Sequence, residues 1–525
     1  MTTPPFVRAE TLPEALFRHL DRGGELRFEL DREQYSIAEL ALAARRLATR
    51  IARSVPEQGR VGVMARNGHT ALISWWACTL AGRVLVPFNT GVRGAILDHQ
   101  IADADLSLVI VEAEFCPAID DALRATGLRV PALIDGDGVL PATSTEPFTK
   151  SYVELEPLPL VAPDPFAISH LVYTSGTTGP SKACVVSHAY LGNLGKHMRE
   201  NLERERGEKL WTANPLFHLA AIGHVIGSLQ LDAEIAVARR FSVTRFWEDV
   251  VSSGARVAAL MGSMLALVLK ADENEWTARG HGQLRAVSGA PVSAELSAAW
   301  SEKFGVPRVG SAAYGMTEAS LIASSPAGGV RPGSAGRPND DFEVAIVDEN
   351  GYRLPDGASG EVVCRPKVPG IMFDGYWGQP ERTLETYRGL WFHTGDLGRL
   401  DDGYLYFVDR KKDCMRRGGE NISSAEIEAV ALQHGDVLEV AVHAVPSPLG
   451  EDDVKVTCVL RDGAAVSELE LFEWLLPKVP RFAAPSHVEF RSQLPRNAVG
   501  RVLKHQLRDE GVTVATVETN WRARV

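Results

Sequence analysis

Apolar positions change their spacing several times along this chain of 525 residues. Thr11–His19 and Ile37–Arg50 carry apolar side chains at helical intervals. Val61-Gly-Val-Met64, Val84-Leu-Val-Pro87 and Leu108-Val-Ile-Val111 are short apolar runs that predict buried strands, as does Phe166-Ala-Ile-Ser-His-Leu-Val172. The alternation resumes at Val257–Leu260 and Leu284–Val287, which predicts layered α/β sheets with parallel strands. From Asp341 the spacing falls to two. Phe342-Glu-Val-Ala-Ile-Val-Asp348, Gly360-Glu-Val-Val-Cys-Arg365 and Tyr404-Leu-Tyr-Phe-Val-Asp409 lie between Gly and Asp turns and predict a β-rich subdomain over about 341–411. A second change falls at Asp409–Gly419. Beyond it Ser423-Ser-Ala-Glu426 predicts a capping box opening a helix to about His434. Strands are expected at Val437–Val445 and Val454–Leu460, and a helix near Leu469–Leu476. The expected architecture is α/β: a large N-terminal domain of layered sheets, residues 1–411, and a small α+β C-terminal domain, residues 412–525.

Length agrees with more than one domain. The net charge of −12 argues against a nucleic-acid surface. The cysteines, at 78, 116, 184, 364, 414 and 458, show neither CxxC nor metal-ligand spacing and read as buried thiols of a reducing compartment. The longest apolar stretch, Val257 to Leu269, is too short for a bilayer, and neither terminus carries a targeting pattern. The expectation is a cytoplasmic protein without a membrane partner.

The candidate chemistry begins at Tyr173-Thr-Ser-Gly-Thr-Thr-Gly-Pro-Ser-Lys182, directly after a predicted strand. In Thr174, Ser175, Gly176, Thr177, Thr178 and Gly179, glycines admit close backbone approach and hydroxyls donate hydrogen bonds; Lys182 adds a point charge. Such a loop suits a polyphosphate. It is not the GxxxxGK[ST] loop, since Lys182 follows Ser181 and precedes Ala183.

Four segments follow in order: Tyr314-Gly-Met-Thr-Glu318, Thr394-Gly-Asp396, Asp409-Arg-Lys-Lys-Asp413 with Gly418-Gly-Glu-Asn421, and Pro495-Arg-Asn-Ala-Val-Gly-Arg-Val-Leu-Lys504. With the loop, they resemble the adenylate-forming enzymes: acyl-CoA synthetases, peptide-synthetase adenylation domains and beetle luciferases. The resemblance spans roughly residues 15–510 and is nearest to carnitine-type and medium-size acyl-CoA ligases. Taken singly, Tyr314 would read as a core residue, Glu318 as a surface carboxylate, His218 as a core histidine and Gly418-Gly419 as a turn.

The resemblance implies ATP or acyl-AMP, Mg2+ and coenzyme A as cofactors and a carboxylic acid as substrate. It implies that Tyr314, beside Gly315, stacks on adenine, that Thr317 donates to the α-phosphate and that Glu318 ligates Mg2+. Asp396 and Arg410 would hold the ribose hydroxyls. Asn214-Pro-Leu-Phe-His218 resembles the segment whose His218 walls the acyl carboxylate and incoming thiol. In the family the small domain swings about a hinge, here Lys412. One face offers the terminal motif to the phosphates; the other offers Gly418, Gly419 and Glu420 to the pantetheine tunnel. Gly289, Ala290 and Pro291 belong to the adenylate site and, with Ala220–Gly223, Ala312-Ala313 and Ala319-Ser320, border the acyl group; their small side chains predict a bulky, largely apolar acid.

The chain departs from this pattern where the family's terminal motif reads Gly-Lys and this sequence reads Gly500-Arg501. Lys504 is a separate basic position expected to point elsewhere. Arg brings a longer, planar fork in place of a compact ammonium. In a site shaped for Lys, a misplaced donor costs about 2.7–4 kcal/mol, or about 10²–10³ in rate. Ser181 and Ala183 also replace the family's usual Pro and Gly around Lys182. The expectation is an acyl-CoA ligase that makes the thioester from an acyl-adenylate while its own adenylation step is weak or absent, with a separate adenylating enzyme as supplier. The alternatives are a complete two-step synthetase in which Arg501 serves, and a catalytically dead adenylate-binding module.

Overall fold

The computed structural model describes residues 8–174, 180–289, 292–325, 331, 333–410, 414–496 and 502–521. Helix His69–Leu80 is apolar on every side, with Trp75 and Trp76 both buried, and a helix of that kind must lie inside. It sits between two seven-stranded sheets. The first orders Thr145–Pro147, Ala132–Asp135, Leu106–Glu112, Arg60–Met64, Val84–Pro87, Ile168–Thr174 and Lys182–Ser187. Its strands are parallel except for the closing antiparallel pair. The second orders Arg308–Val309, Ala286–Ser288, Val257–Ala259, Leu210–Thr212, Ile235–Val237, Arg27–Leu30 and Glu33–Ser36, again ending in an antiparallel hairpin. Val61, Leu85 and Leu108 of the first sheet join Leu210, Ile235 and Val257 of the second in one buried cluster. Layered α/β sheets are thus what the alternating pattern predicted.

The period-two segments form the five-stranded sheet of Phe342–Val347, Gly360–Pro366, Trp391–Asp401, Tyr387–Arg388 and Tyr404–Arg410. The long central strand Trp391–Asp401 was not anticipated. Gly395, at φ +73°, and Gly398 break its alternation.

Beyond residue 414 lies a hairpin, Cys414–Arg417 with Glu420–Ser423, then a four-stranded sheet of Val437–Pro446, Asp452–Leu460, His487–Phe490 and Val517–Glu518. Helices Ser424–Ala431 and Glu468–Leu475 cover it, and Met415, Ile427, Val442, Val456, Phe472 and Val488 share a separate core. The predicted capping box is half formed: Ser423 accepts from the Glu426 amide at 3.4 Å. The helix ends at Ala431 rather than His434, because Gln433 and His434 tighten into bonds three residues back, to Val430 and Ala431.

Cys78, Cys116, Cys184, Cys364 and Cys458 are buried with no disulfide. Among the described residues no helix is long and apolar enough to cross a membrane.

Among the described residues of the small domain, Lys455 is a fully buried cation. Lys455 is 0% exposed and pairs with Glu489 at 2.5 Å, while also donating to the Gly511 carbonyl at 2.7 Å. Burial would raise the Glu489 carboxyl, but hydrogen bonds from Lys455, Thr516, Arg491 and Thr513 outweigh it and hold it down at about 2. A depressed carboxylate stabilises the fold above its unfolded pKa, and that contribution is lost as pH falls toward about 2. Lys455→Met is expected to destabilise the small domain by about 3–5 kcal/mol at neutral pH. In urea unfolding, the deficit should shrink as the medium is acidified.

Candidate active site

The strands that flank the phosphate-type loop, Ile168–Thr174 and Lys182–Ser187, pair antiparallel. Thr174 and Lys182 face each other in register, and the Thr174 hydroxyl lies 3.4 Å from the Lys182 carbonyl. Residues 175–179 fall outside the described set. Helix Gly94–Ala104 clamps the loop's exit: Gln100 donates to Ser181 Oγ at 3.2 Å, and the His99 ring meets the Ser181 carbonyl at 2.9 Å. Ala183, read as a possible perturbation, is a buried strand residue in ordinary extended backbone, opposite Tyr173. Nothing about it asks for a glycine. Lys182 directs its ammonium over the ring of Tyr376, 4.4 Å from the centroid.

Two more expected groups meet nearby. Tyr314, on strand Ala312–Met316, donates its hydroxyl to Asp396 Oδ2 at 2.8 Å. Burial and the neighbouring carboxylate push the phenol pKa well up, so it remains a donor. Asp396 is 5% exposed, and its amide donates to Thr394 Oγ1 at 3.1 Å. Arg410 is Asp396's partner in the antiparallel register of the central strand with Tyr404–Arg410. Gly315 forms a bulge where a Cβ would lie 2.0 Å from the Ser320 carbonyl oxygen, so no side chain fits. The turn that follows is pinned by the buried Tyr190, whose hydroxyl donates to the Thr317 carbonyl at 2.9 Å. Glu318 accepts the Tyr376 hydroxyl on Oε1 at 2.7 Å, and its carbonyl accepts the Phe373 amide at 3.0 Å.

Among the described residues no cluster of three or more His, Cys, Asp or Glu side chains could hold a metal by itself. Mg2+ fits here only in its usual nucleotide-bound form, one carboxylate plus phosphate oxygens, and Glu318 is the carboxylate beside Lys182.

A second group assembles from both domains. Asn214–His218 is tied by Asn67, which donates to the Asn214 carbonyl at 3.0 Å and accepts the Leu216 amide at 2.8 Å. His218, the N-cap of helix Leu219–Gln230, meets Glu420 Oε1 of the small domain at 2.8 Å. Its side chain is 37% exposed. Burial would lower its pKa, but the Glu420 carboxylate raises it above the ordinary value, with Arg416 opposing. Gly419, at φ +80°, presses on Met261: a Cβ there would fall 1.6 Å from its sulfur. Gly418 has open space and φ +61°, the requirement of a tight turn. Glu426 lies against the Ser181 amide, and burial, which that amide partly offsets, pushes its carboxyl up to about 7. Phe482 packs on both the small domain's core and the apolar cluster of the first sheet.

Lys504 points elsewhere, as expected, and several of the expected site residues stand outside these groups. Lys504 is turned to its own domain, donating to Ser424 Oγ at 2.8 Å and pairing with Glu428 at 2.7 Å. Ala221, Ile222 and Gly223 are buried, and Gly223 is pressed between Leu194 and Met198, so they serve helix packing rather than acyl volume. Gly289 packs on Leu265 at the end of its strand. Ala290, Pro291, Lys412 and Arg501 lie outside the described residues. Sequence reasoning missed Tyr376, Met261 and Asn67; none stands in a motif, and only the fold brings them to the site.

The chain resembles known proteins over most of its length. The AMP-binding enzyme family matches residues 18–377, and the AMP-binding enzyme C-terminal domain matches 426–501. Feruloyl-CoA synthase of an Amycolatopsis species is 32% identical over 90% of this chain and 93% of its own length. Crotonobetaine/carnitine–CoA ligase of Salmonella paratyphi B is 29% identical over 86% of this chain and 88% of its own. A solved o-succinylbenzoate CoA synthetase of Bacillus subtilis, 24% identical, superposes with a TM-score of 0.82 over 95% of this chain and 99% of its own, which shows the shared fold. The chain belongs to the AMP-binding enzyme family, the adenylate-forming enzymes that include the acyl-CoA ligases.

Proposed function

We propose that this protein is an acyl-CoA ligase that completes the thioester from an acyl-adenylate and CoA, and whose ATP-dependent adenylation step is weak or absent. The observation that carries the reading is the contact of Glu420 with His218, which seats the glycine turn of the small domain against Met261. In the second half-reaction the thiol sulfur bonds to the acyl carbon, the acyl C–O bond breaks, and AMP leaves with the electron pair. The thiol proton passes to solvent. Asp396, oriented by Tyr314, and Arg410 would hold the ribose; Thr317 and Lys182 would hold phosphate; His218 would wall the acyl carbonyl. Mg2+, held by Glu318 and phosphate oxygens, would neutralise charge on the polyphosphate.

The weakness of the first half-reaction rests on Arg501 alone, since Ala183 sits without strain. The hinge at Lys412, the boundary between 411 and 412, and a bulky apolar acid delivered by a separate adenylating enzyme belong to the same proposal. Feruloyl-CoA synthase and crotonobetaine/carnitine–CoA ligase, by their names, act on an aromatic and a small polar acid, so relatives favour neither size.

Pyrophosphate release from acid and ATP is expected to be slower than thioester formation from a supplied acyl-adenylate. Arg501→Lys should raise pyrophosphate release by about 10² and leave the second step unchanged. Rapid pyrophosphate release by the native chain would remove this reading in favour of a complete synthetase. Failure to release AMP from an acyl-adenylate with CoA would point instead to an inactive binding module.

Gly419→Ala should weaken docking of the small domain, because the added Cβ makes Met261 shift and the backbone stands at φ +80°. Thioester formation is expected to fall by at least about tenfold, the effect of only about 1.4 kcal/mol, with acyl-AMP binding retained in a titration.

The His218–Glu420 contact also predicts a pH dependence. A raised His pKa means the contact is at full strength below the ordinary pKa of about 6.5 and is lost as pH rises through the raised value. A fluorescence-transfer pair across the two domains should report less docking at higher pH, and Glu420→Gln should flatten that response.

A further inference from the structure

No motif marks Tyr376, yet it touches both charged groups on the nucleotide side of the site. Its hydroxyl donates to Glu318 Oε1 at 2.7 Å, and the Lys182 ammonium rests 4.4 Å from its ring centroid. The ring is held on several sides. It is 7% exposed, Phe373 meets it edge-on at 5.0 Å and 69°, and its amide donates to Thr383 Oγ1 at 2.9 Å. Its backbone continues the sheet past Lys182–Ser187: Tyr376 bridges Cys184, the Val185 amide donates to Gly375 and the Trp377 amide to Ala183, at 2.9 and 2.8 Å.

Lys182 ends the phosphate hairpin, and Glu318 sits on a turn after a strand of a different sheet. Their separation is therefore not fixed by local backbone geometry. We propose that Tyr376 is a positioning residue for nucleotide binding. Its ring sets the Lys182 ammonium and its hydroxyl sets the Glu318 carboxylate, so that phosphate oxygens and their Mg2+ meet two charges at a fixed spacing. The ring attracts the cation and the hydroxyl orients the anion, two separable contributions from one side chain. The proposal rests on the reading of this site as one for ATP and acyl-AMP.

The test uses the full chain and isothermal titration with ATP, with and without MgCl2, and with AMP alone. Tyr376→Phe keeps the ring and removes the hydroxyl; Tyr376→Leu removes both. Tyr376→Phe is expected to keep metal-free AMP and ATP affinity while losing roughly tenfold to hundredfold of the gain in ATP affinity that Mg2+ brings. Tyr376→Leu should lose, in addition, a few-fold to about thirtyfold of the metal-free ATP affinity. The melting temperature of Tyr376→Phe should match the native protein. A Tyr376→Phe chain with the native response to Mg2+ overturns the Tyr376 assignment and leaves the nucleotide reading standing. Equal losses in both variants with a lowered melting temperature also overturn it, because they mark a purely structural role. A native chain that binds neither ATP nor AMP overturns the assignment together with the reading beneath it.

Discussion

The strand Lys182–Ser187 would be the free edge of the first sheet were it not bonded on its outer side by Asp374–Trp377. An uncovered edge leaves a row of amides and carbonyls unpaired. Here those bonds do more than satisfy the backbone. They bring a residue of the β-rich subdomain's approach against the exit of the phosphate hairpin, next to the turn that carries Glu318. Three segments distant in sequence are thereby locked into one wall. The hydrogen bonds of a sheet edge are what give the nucleotide side of the site its shape.

The group around His218 is built on a different principle. His218 stands on the large domain and Glu420 on the small one, and the contact between them is a single charged hydrogen bond beside a packed glycine. Such an interface forms and separates at modest cost compared with breaking a sheet. Under the proposed function, a wall of this kind would suit chemistry in two stages, because the small domain could change what it offers while the large domain keeps the adenylate. Glu426 against Ser181 and Phe482 against the first sheet are further points where the small domain reads the surface of the large one.

Small residues illustrate how far sequence can mislead. Gly223 read as room for a substrate, and the fold uses it to bring two helices together, against Leu194 and Met198. Gly419 read as room for a pantetheine arm; its most direct demand is the sulfur of Met261. A missing side chain is the same letter whether it makes a cavity, a turn or a close contact. Only the neighbour decides.

The sequence by itself determined the order of elements, the change from alternating α/β to period-two strands near Asp341, and the five motif segments, because these are local patterns of burial and backbone freedom. Tyr314, Asp396 and Glu318 stand in those segments, and the fold brings Tyr314 and Asp396 within one hydrogen bond of each other. The strand Trp391–Asp401 stayed hidden because its glycines interrupt the alternation that marks a half-buried strand. Tertiary structure alone decided that Tyr376 lies under Lys182, that Asn67 ties the loop before His218, and that Glu420 reaches across to that histidine. Those pairings join residues far apart along the chain, and side-chain spacing carries no information about which distant backbone will close the edge of a sheet.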